Sequence, residues 1–183
     1  MRDKISIPRA KLLHPAIREE VINLIDRAEK QLPVNLAVRI VEGLRTFDQQ
    51  EAYYAQGRTK PGKIVTNAKA GFSYHQYGLA IDFAILVDKD GNGTYDELSW
   101  DTDRDRDGDG KKDWLEIVSV FKPAGYIWGA DWDNDGITKA QGDKDEHLVD
   151  MPHIQKTFGY TTKELLAKYL AKDFFPGTKY VNL

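Results

Sequence analysis

Between Leu79 and Val87 large apolar side chains (Leu79, Ile81, Phe83, Ile85, Val87) alternate with Ala80, Asp82, Ala84 and Leu86. This period of two predicts a strand, with one carboxylate placed on the flank that carries the smaller residues. Upstream, Ile17, Val21, Leu24, Ile25 and Ala28 recur at helical spacing and Pro33 ends the run, so Pro15 to Leu32 reads as a core-facing helix. Val34, Leu36, Val38 and Ile40 then alternate, predicting a strand from Val34 to Glu42 that stops at Gly43. Thr46 can cap a helix running to about Gln56, and the Gly-, Lys- and Pro-rich stretch from Gly57 to Gly71 reads as a long surface loop. Farther along, Trp114 to Phe121 has helical periodicity and Tyr126 to Trp128 reads as a strand. Thr162 to Ala171 is an amphipathic helix with Leu165, Leu166 and Tyr169 inward. These elements predict an α+β fold in which a small, mainly antiparallel sheet packs against helices.

At 183 residues the chain has the length of one domain with a real core. No long repeat and no Pro/Ser linker divides it, so residues 1–183 are expected to form a single unit. Its net charge of −3 is unevenly spread. Residues 88–113 hold ten acids against five bases and residues 131–146 six against two, leaving +6 on the remainder. Two acidic insertions, at about 88–116 and 131–146, are therefore expected in a mildly basic body. A basic body suits a polyanionic surface such as a bacterial envelope and equally an ordinary solvated surface, whereas nucleic acid is disfavoured because no basic stripe is interleaved with aromatics. The N-terminus lacks a continuous apolar run, so neither a signal peptide nor a membrane anchor is expected, and synthesis should be cytosolic. A monomer is expected.

With no cysteine, thiolate metal sites and disulfides are excluded, and any metal must sit on His, carboxylates or carbonyls. Asp82 on a buried strand needs a partner. In the stretch Ser73 to Asp82, Gly78 can take the backbone angles that bring His75 back beside it, and a divalent metal would satisfy both. A third ligand should come from His14, His147 or His153. His153 fits best, since it follows Pro152 and lies three residues after Asp150. A joint role for those two requires a bend, because an ideal strand would send them to opposite faces. His14, before Pro15, and His147, in a charged insertion, read as surface residues.

The acidic tract carries a second metal pattern. Asp105, Asp107, Asp109, Gly110, Asp113 and Glu116 fit D-x-D-x-D-G-x5-E, with oxygen donors at positions 1, 3, 5, 9 and 12 and the Lys111 carbonyl at position 7. A calcium ion is the expected ligand. Asp88, Asp90, Asn92, Thr94 and Asp96 fit the first half of such a loop, but Ser99 stands at its twelfth position. Asp131, Asp133 and Asp135 begin a third, with no acid at position 12.

SxHxxGxAxD followed by a later DxPH resembles the zinc peptidases of the D-Ala-D-Ala carboxypeptidase and dipeptidase family, which includes phage endolysins that cleave L-alanyl-D-glutamate bonds. The segments LHP (Leu13 to Pro15), EGLRTFDQQ (Glu42 to Gln50), YAQGRTKPGKIVTNA (Tyr54 to Ala68) and WGADW (Trp128 to Trp132) are similar to the endolysin branch. The resemblance spans most of residues 12–158 and implies a Hedgehog/DD-peptidase-like fold. It implies His75, Asp82 and His153 as zinc ligands, with a fourth position open, Asp150 as general base and Arg45 as the group stabilising the developing oxyanion. Ser73 falls where the family contacts substrate, and Trp128 and Trp132 are expected to line the stem-peptide groove, although core packing suits Trp128 equally. Ala130 departs from the family, which would place a second glycine there. The function expected is a zinc peptidase acting on the peptidoglycan stem peptide, an endolysin made in the host cytoplasm and acting on the wall after release. A D-Ala-D-Ala carboxypeptidase, or a calcium-stabilised wall-binding domain without catalysis, are the alternatives.

Overall fold

Strand β2 (Ala80–Val87) lies at the centre of the fold because its side chains are apolar on both flanks and only pairing on both edges can bury its backbone. In a computed structural model of the chain, which describes residues 1–136, 138 and 148–183, β1 (Leu36–Glu42) pairs antiparallel with one edge of β2. The other edge is shared. β3 (Glu97–Ser99) pairs with its second half and β5 (His153–Gln155) with its first, and β4 (Ile127–Trp128) adds to β5. The path is β1-β2-β5-β4, antiparallel at every step.

Helices cover this sheet for the reasons their sequences give. α2 (Arg18–Gln31) buries Val21, Leu24, Ile25 and Ala28, and places Glu19 and Glu20 in its first turn and Lys30 in its last, the charge order that favours the helix dipole. β1 begins at Leu36, later than the alternation suggests. Val34 is spent in a turn closed by the Leu36 amide on the Pro33 carbonyl (3.0 Å). α3 (Phe47–Ala55) and α5 (Thr162–Leu170) each start with a capping box, Thr46 with Gln49 and Thr161 with Glu164. In α4 (Asp113–Phe121) the Trp114 ring packs 4.6 Å from that of Phe83, joining helix to central strand.

Three findings differ from the sequence reading. A helix α1 (Ser6–Lys11), too short to show periodicity, is started by Asp3, whose carboxylate accepts from the Ile5 and Ser6 amides and from the Arg39 guanidinium. The first acidic tract is not all loop, since Glu97–Ser99 joins the sheet. His14 is no surface residue: it is 1% exposed, its Nε2 bonds the Val181 carbonyl (2.8 Å), and its amide donates to Gly78 (2.9 Å). It therefore ties the C-terminal tail to the turn that follows His75. His147 and most of the second insertion (139–146) lie outside the described residues.

Candidate active site

Three elements meet at the open end of β2. A single 3-10 turn, Tyr74–Tyr77, carries His75 and is stopped by Gly78 at φ +67°. A Cβ at Gly78 would lie 2.7 Å from the His14 amide nitrogen, so glycine is required there for space as well as for angle. Asp82 sits on β2 directly opposite His153 on β5. The bend that His153 needs is present: the His153 amide donates to the Asp150 carbonyl (3.0 Å), closing a turn through Met151 and Pro152. Gly129 holds that turn, accepting from the Asp150 amide (2.6 Å) and donating to the His153 carbonyl (2.8 Å). A Cβ on Gly129 would fall 2.3 Å from the Asp150 carbonyl oxygen.

The result is a triangle of ligand atoms. His75 Nε2, His153 Nδ1 and Asp82 Oδ1 are 3.2, 3.1 and 3.3 Å apart for the His–His, His153–Asp and His75–Asp pairs. Zinc bonds of about 2.0–2.2 Å in a tetrahedron require ligand atoms about 3.3 Å apart, so the set fits that ion with one vertex left over. Both imidazoles are also set in the correct tautomer. His75 Nδ1 lies 2.8 Å from the Gly43 carbonyl, so it carries the proton and leaves Nε2 free. His153 Nε2 lies 2.9 Å from Gln155 Oε1, which fixes the opposite arrangement and frees Nδ1.

The electrostatics follow from the same crowding. Burial opposes the charge of Asp82, but the two imidazoles against it, His153 and then His75, outweigh burial and hold the carboxyl well below its usual range. His153 is pulled down by burial and pushed up further by Asp82, so its net shift is upward. Asp150 faces the same cleft, where desolvation and then the charge of Asp82 push its carboxyl upward against the pull of His153, His75 and Arg45.

The cleft holds about 750 Å³, and Arg45, Ser73, Asp150 and Trp132 line it with the metal-ligand set. Arg45 Nη2 lies 3.8 Å from Asp82 Oδ2, and its Nε is buried without a hydrogen-bond partner among the described residues. Trp128 does not line the cleft. It is 4% exposed, and its indole donates to the Met151 carbonyl (2.8 Å). The tryptophan at the cleft is Trp132, whose ring is 5.3 Å from that of His153. Two partners of the histidines were not marked as site residues by the sequence, Gly43 and Gln155. The available signal was Gln155 standing two residues after His153, and therefore on the same face of one strand.

Among the acidic loops, Asp105, Asp107 and Asp109 converge, with ligand oxygens within 4.8 Å of one another, and so do Asp131, Asp133 and Asp135. Asp105 accepts from the Gly108 and Gly110 amides, and Asp88 accepts from Gly91 and Gly93 in the same register. Asn92 continues that loop by accepting from Thr94, while Asp90 is exposed beside it and Asp96 is exposed beyond. Lys111 donates its amide to Asp109. Asp113 does not join the cluster: it is fully buried and engaged by the Arg106 amide and guanidinium. Asp131 is held by Lys122.

A family model described as D-alanyl-D-alanine carboxypeptidase matches residues 66–136, a stretch that includes His75 and Asp82 and ends before Asp150. The peptidoglycan L-alanyl-D-glutamate endopeptidase CwlK of Bacillus subtilis (strain 168) is 46% identical over 143 residues, covering 78% of this chain and 72% of that protein. Among solved structures, the Serratia marcescens L-Ala D-Glu endopeptidase ChiX aligns over 84% of this chain and 86% of its own, at 19% identity and a TM-score of 0.46. At 46% identity over almost three quarters of a characterised relative, the chain belongs to the M15 peptidases, in the group of the L-alanyl-D-glutamate endopeptidases.

Proposed function

We propose that this protein is a zinc endopeptidase that hydrolyses the L-alanyl-D-glutamate bond of the peptidoglycan stem peptide. The observation that carries the proposal is the His75–Asp82–His153 triangle, sized for zinc and with both tautomers preset, in a chain 46% identical to an enzyme of that name. Zinc held by His75, Asp82 and His153 would supply Lewis acidity for the scissile carbonyl and would make a bound water more acidic. Asp150, on the cleft wall with its carboxyl pushed upward by desolvation and by the charge of Asp82, is placed to take the attacking water's proton and to return it to the leaving amine. Arg45, nearly buried and with an unused N–H, is placed to stabilise charge that develops on the carbonyl oxygen, an effect worth about 2.7–4 kcal/mol per donor. The 57–71 segment carries Arg58, Lys60, Lys63 and Lys69 and no acid, which suits a substrate bearing free carboxylates.

Mass analysis of digested peptidoglycan tests this. New alanine and glutamate ends are expected; release of terminal D-alanine would instead mark a carboxypeptidase, and no cleavage would leave only wall binding. The lytic role, an endolysin made in the cytosol and acting after release, is supported by the motifs at Leu13–Pro15, Glu42–Gln50 and Trp128–Trp132. Its test is co-expression with a membrane pore-former: lysis should need both proteins, and lysis without the pore would refute the release step.

Calcium is the proposed second cofactor, at Asp105, Asp107, Asp109 and Glu116. Beside the converging aspartates, Glu116 is 6% exposed and its Oε2 has no hydrogen-bond partner among the described residues. Burial pushes its carboxyl up, and the charges of Asp109 and Asp107 push it further, as expected of a ligand without its cation. Calorimetry should show one calcium site lost in Glu116→Gln, and equal calcium binding by both forms would refute the assignment.

A further inference from the structure

Gln50 is a fully buried glutamine on α3, and its amide is used at both ends. Oε1 accepts from Arg45 Nη1 at 2.9 Å, and Nε2 donates to the Ala68 carbonyl at 2.7 Å and to Thr66 Oγ1 at 3.3 Å. These two ends lead to different parts of the cleft. Arg45 continues to the metal ligands, with Nη2 3.8 Å from Asp82 and its guanidinium 4.9 Å from the centre of the Tyr53 ring. Thr66 and Ala68 belong to a stretch of cleft wall that also presents Ile64 and Val65, each more than half exposed. Arg58 fastens the same stretch from outside, donating to the Thr66 carbonyl (2.9 Å) and to Asn67 Oδ1 (3.1 Å). The wall is thus pinned twice, and Gln50 is the pin that reaches the arginine.

We propose that Gln50 is a positioning residue: its buried amide fixes the Arg45 guanidinium in register with the 64–68 wall, so that a peptide lying on that wall meets the arginine at a set depth. The inference rests on the reading of Arg45 as the oxyanion-stabilising group. The amide's two ends are chemically distinct, one acceptor and one double donor, and each can be cut separately. Leucine removes both with little change of volume. Glutamate keeps the acceptor for Arg45 but loses the donor and sets a carboxylate against the Ala68 carbonyl, which frees the wall.

The test is kcat and KM on a soluble stem-peptide fragment for wild type, Gln50→Leu, Gln50→Glu, Arg45→Lys and the double variant Arg45→Lys/Gln50→Leu, with zinc content measured on each. Gln50→Leu should retain zinc and lose about 100-fold in kcat, the cost of misplacing a reacting group by about 1 Å. In the Arg45→Lys background the same change should cost no more than about twofold, since the group it positions has already gone. Gln50→Glu should raise KM while losing less kcat than Gln50→Leu. A full additive loss in the double variant, or wild-type kcat in Gln50→Leu, overturns the inference. Should Gln50→Leu fail to fold, Gln50→Met, which likewise lacks the amide acceptor and donor, makes the same comparison in the two backgrounds. If Arg45→Lys itself kept wild-type activity, the reading of Arg45 would fall, and this inference with it. An inactive Arg45→Lys beside a normal Gln50→Leu would sink the inference alone.

Discussion

Replacing Gln155 by leucine should weaken zinc binding without removing a single zinc ligand. Gln155 Oε1 is 2.9 Å from His153 Nε2, and both residues are buried, at 8% and 7% exposure. Without that acceptor the His153 N–H is left unpaired in a site with little water, a penalty of about 1–3 kcal/mol. The ring can escape only by rotating or by moving its proton to Nδ1, and either change removes the lone pair that completes the 3.1–3.3 Å triangle. Loss of such an orienting partner costs about 10- to 100-fold in metal affinity, equivalent to about 1.4–2.8 kcal/mol. The backbone pairing of Gln155 with Ala80 and Ile127 does not depend on its side chain, so the sheet should survive. Competition with a chromophoric chelator measures the affinity, and Gln155→Glu, which keeps the acceptor, should bind zinc at least as tightly as wild type. Zinc affinity within about twofold of wild type in Gln155→Leu would refute the idea that this bond sets the tautomer.

Asp150→Asn should retain zinc and fold while losing at least about 100-fold in turnover, measured on isolated peptidoglycan fragments. Near-normal turnover would remove Asp150 as the base. Gly129→Ala should displace the Asp150–His153 turn, since its Cβ would sit 2.3 Å from a carbonyl oxygen. The expected loss is about 1–3 kcal/mol in denaturant unfolding, together with weakened zinc retention. For Glu116 the folded carboxyl is raised above its unfolded value, so it binds its proton more tightly in the native state. The calcium-free protein should therefore lose stability as pH rises from the usual glutamate range through the raised value. Glu116→Gln should flatten that dependence and stabilise the calcium-free protein at neutral pH, as thermal unfolding would show; an unchanged profile would mean that Glu116 is not strained.

The central strand was legible because nine consecutive residues obey one period, and Asp82 stood out as the only charge among them. His153 could be singled out from four histidines by chemistry, but the bend that brings it to Asp82 depends on Gly129, whose role appears only when two backbone segments touch. Trp128 and Trp132 are equivalent in the sequence. Pairing of Trp128 with Ile154 in the sheet turns it inward and leaves Trp132 to the cleft. Asp113 shows a similar limit: spacing marks it as a ligand, whereas Arg106, seven residues earlier, captures it by direct charge pairing. α1 escaped notice because six residues are too few for a helical period to show.

The separations within the His75–Asp82–His153 triangle would make a zinc ion held there a cross-link in a chain with no cysteine. His75 and His153 are 78 residues apart, and Asp82 and His153 are 71 apart, so the ion closes a loop that spans both acidic tracts. A calcium in the 105–116 loop closes only twelve residues. Loop-closure entropy grows by about 0.6 kcal/mol per doubling of length, so the zinc clasp removes roughly 1.6 kcal/mol more freedom from the unfolded chain than the calcium clasp does. Zinc bound at the triangle would therefore act on the stability of the whole fold, in the manner of a long-range disulfide that a chelator can open, while calcium at the proposed loop would act on one local segment.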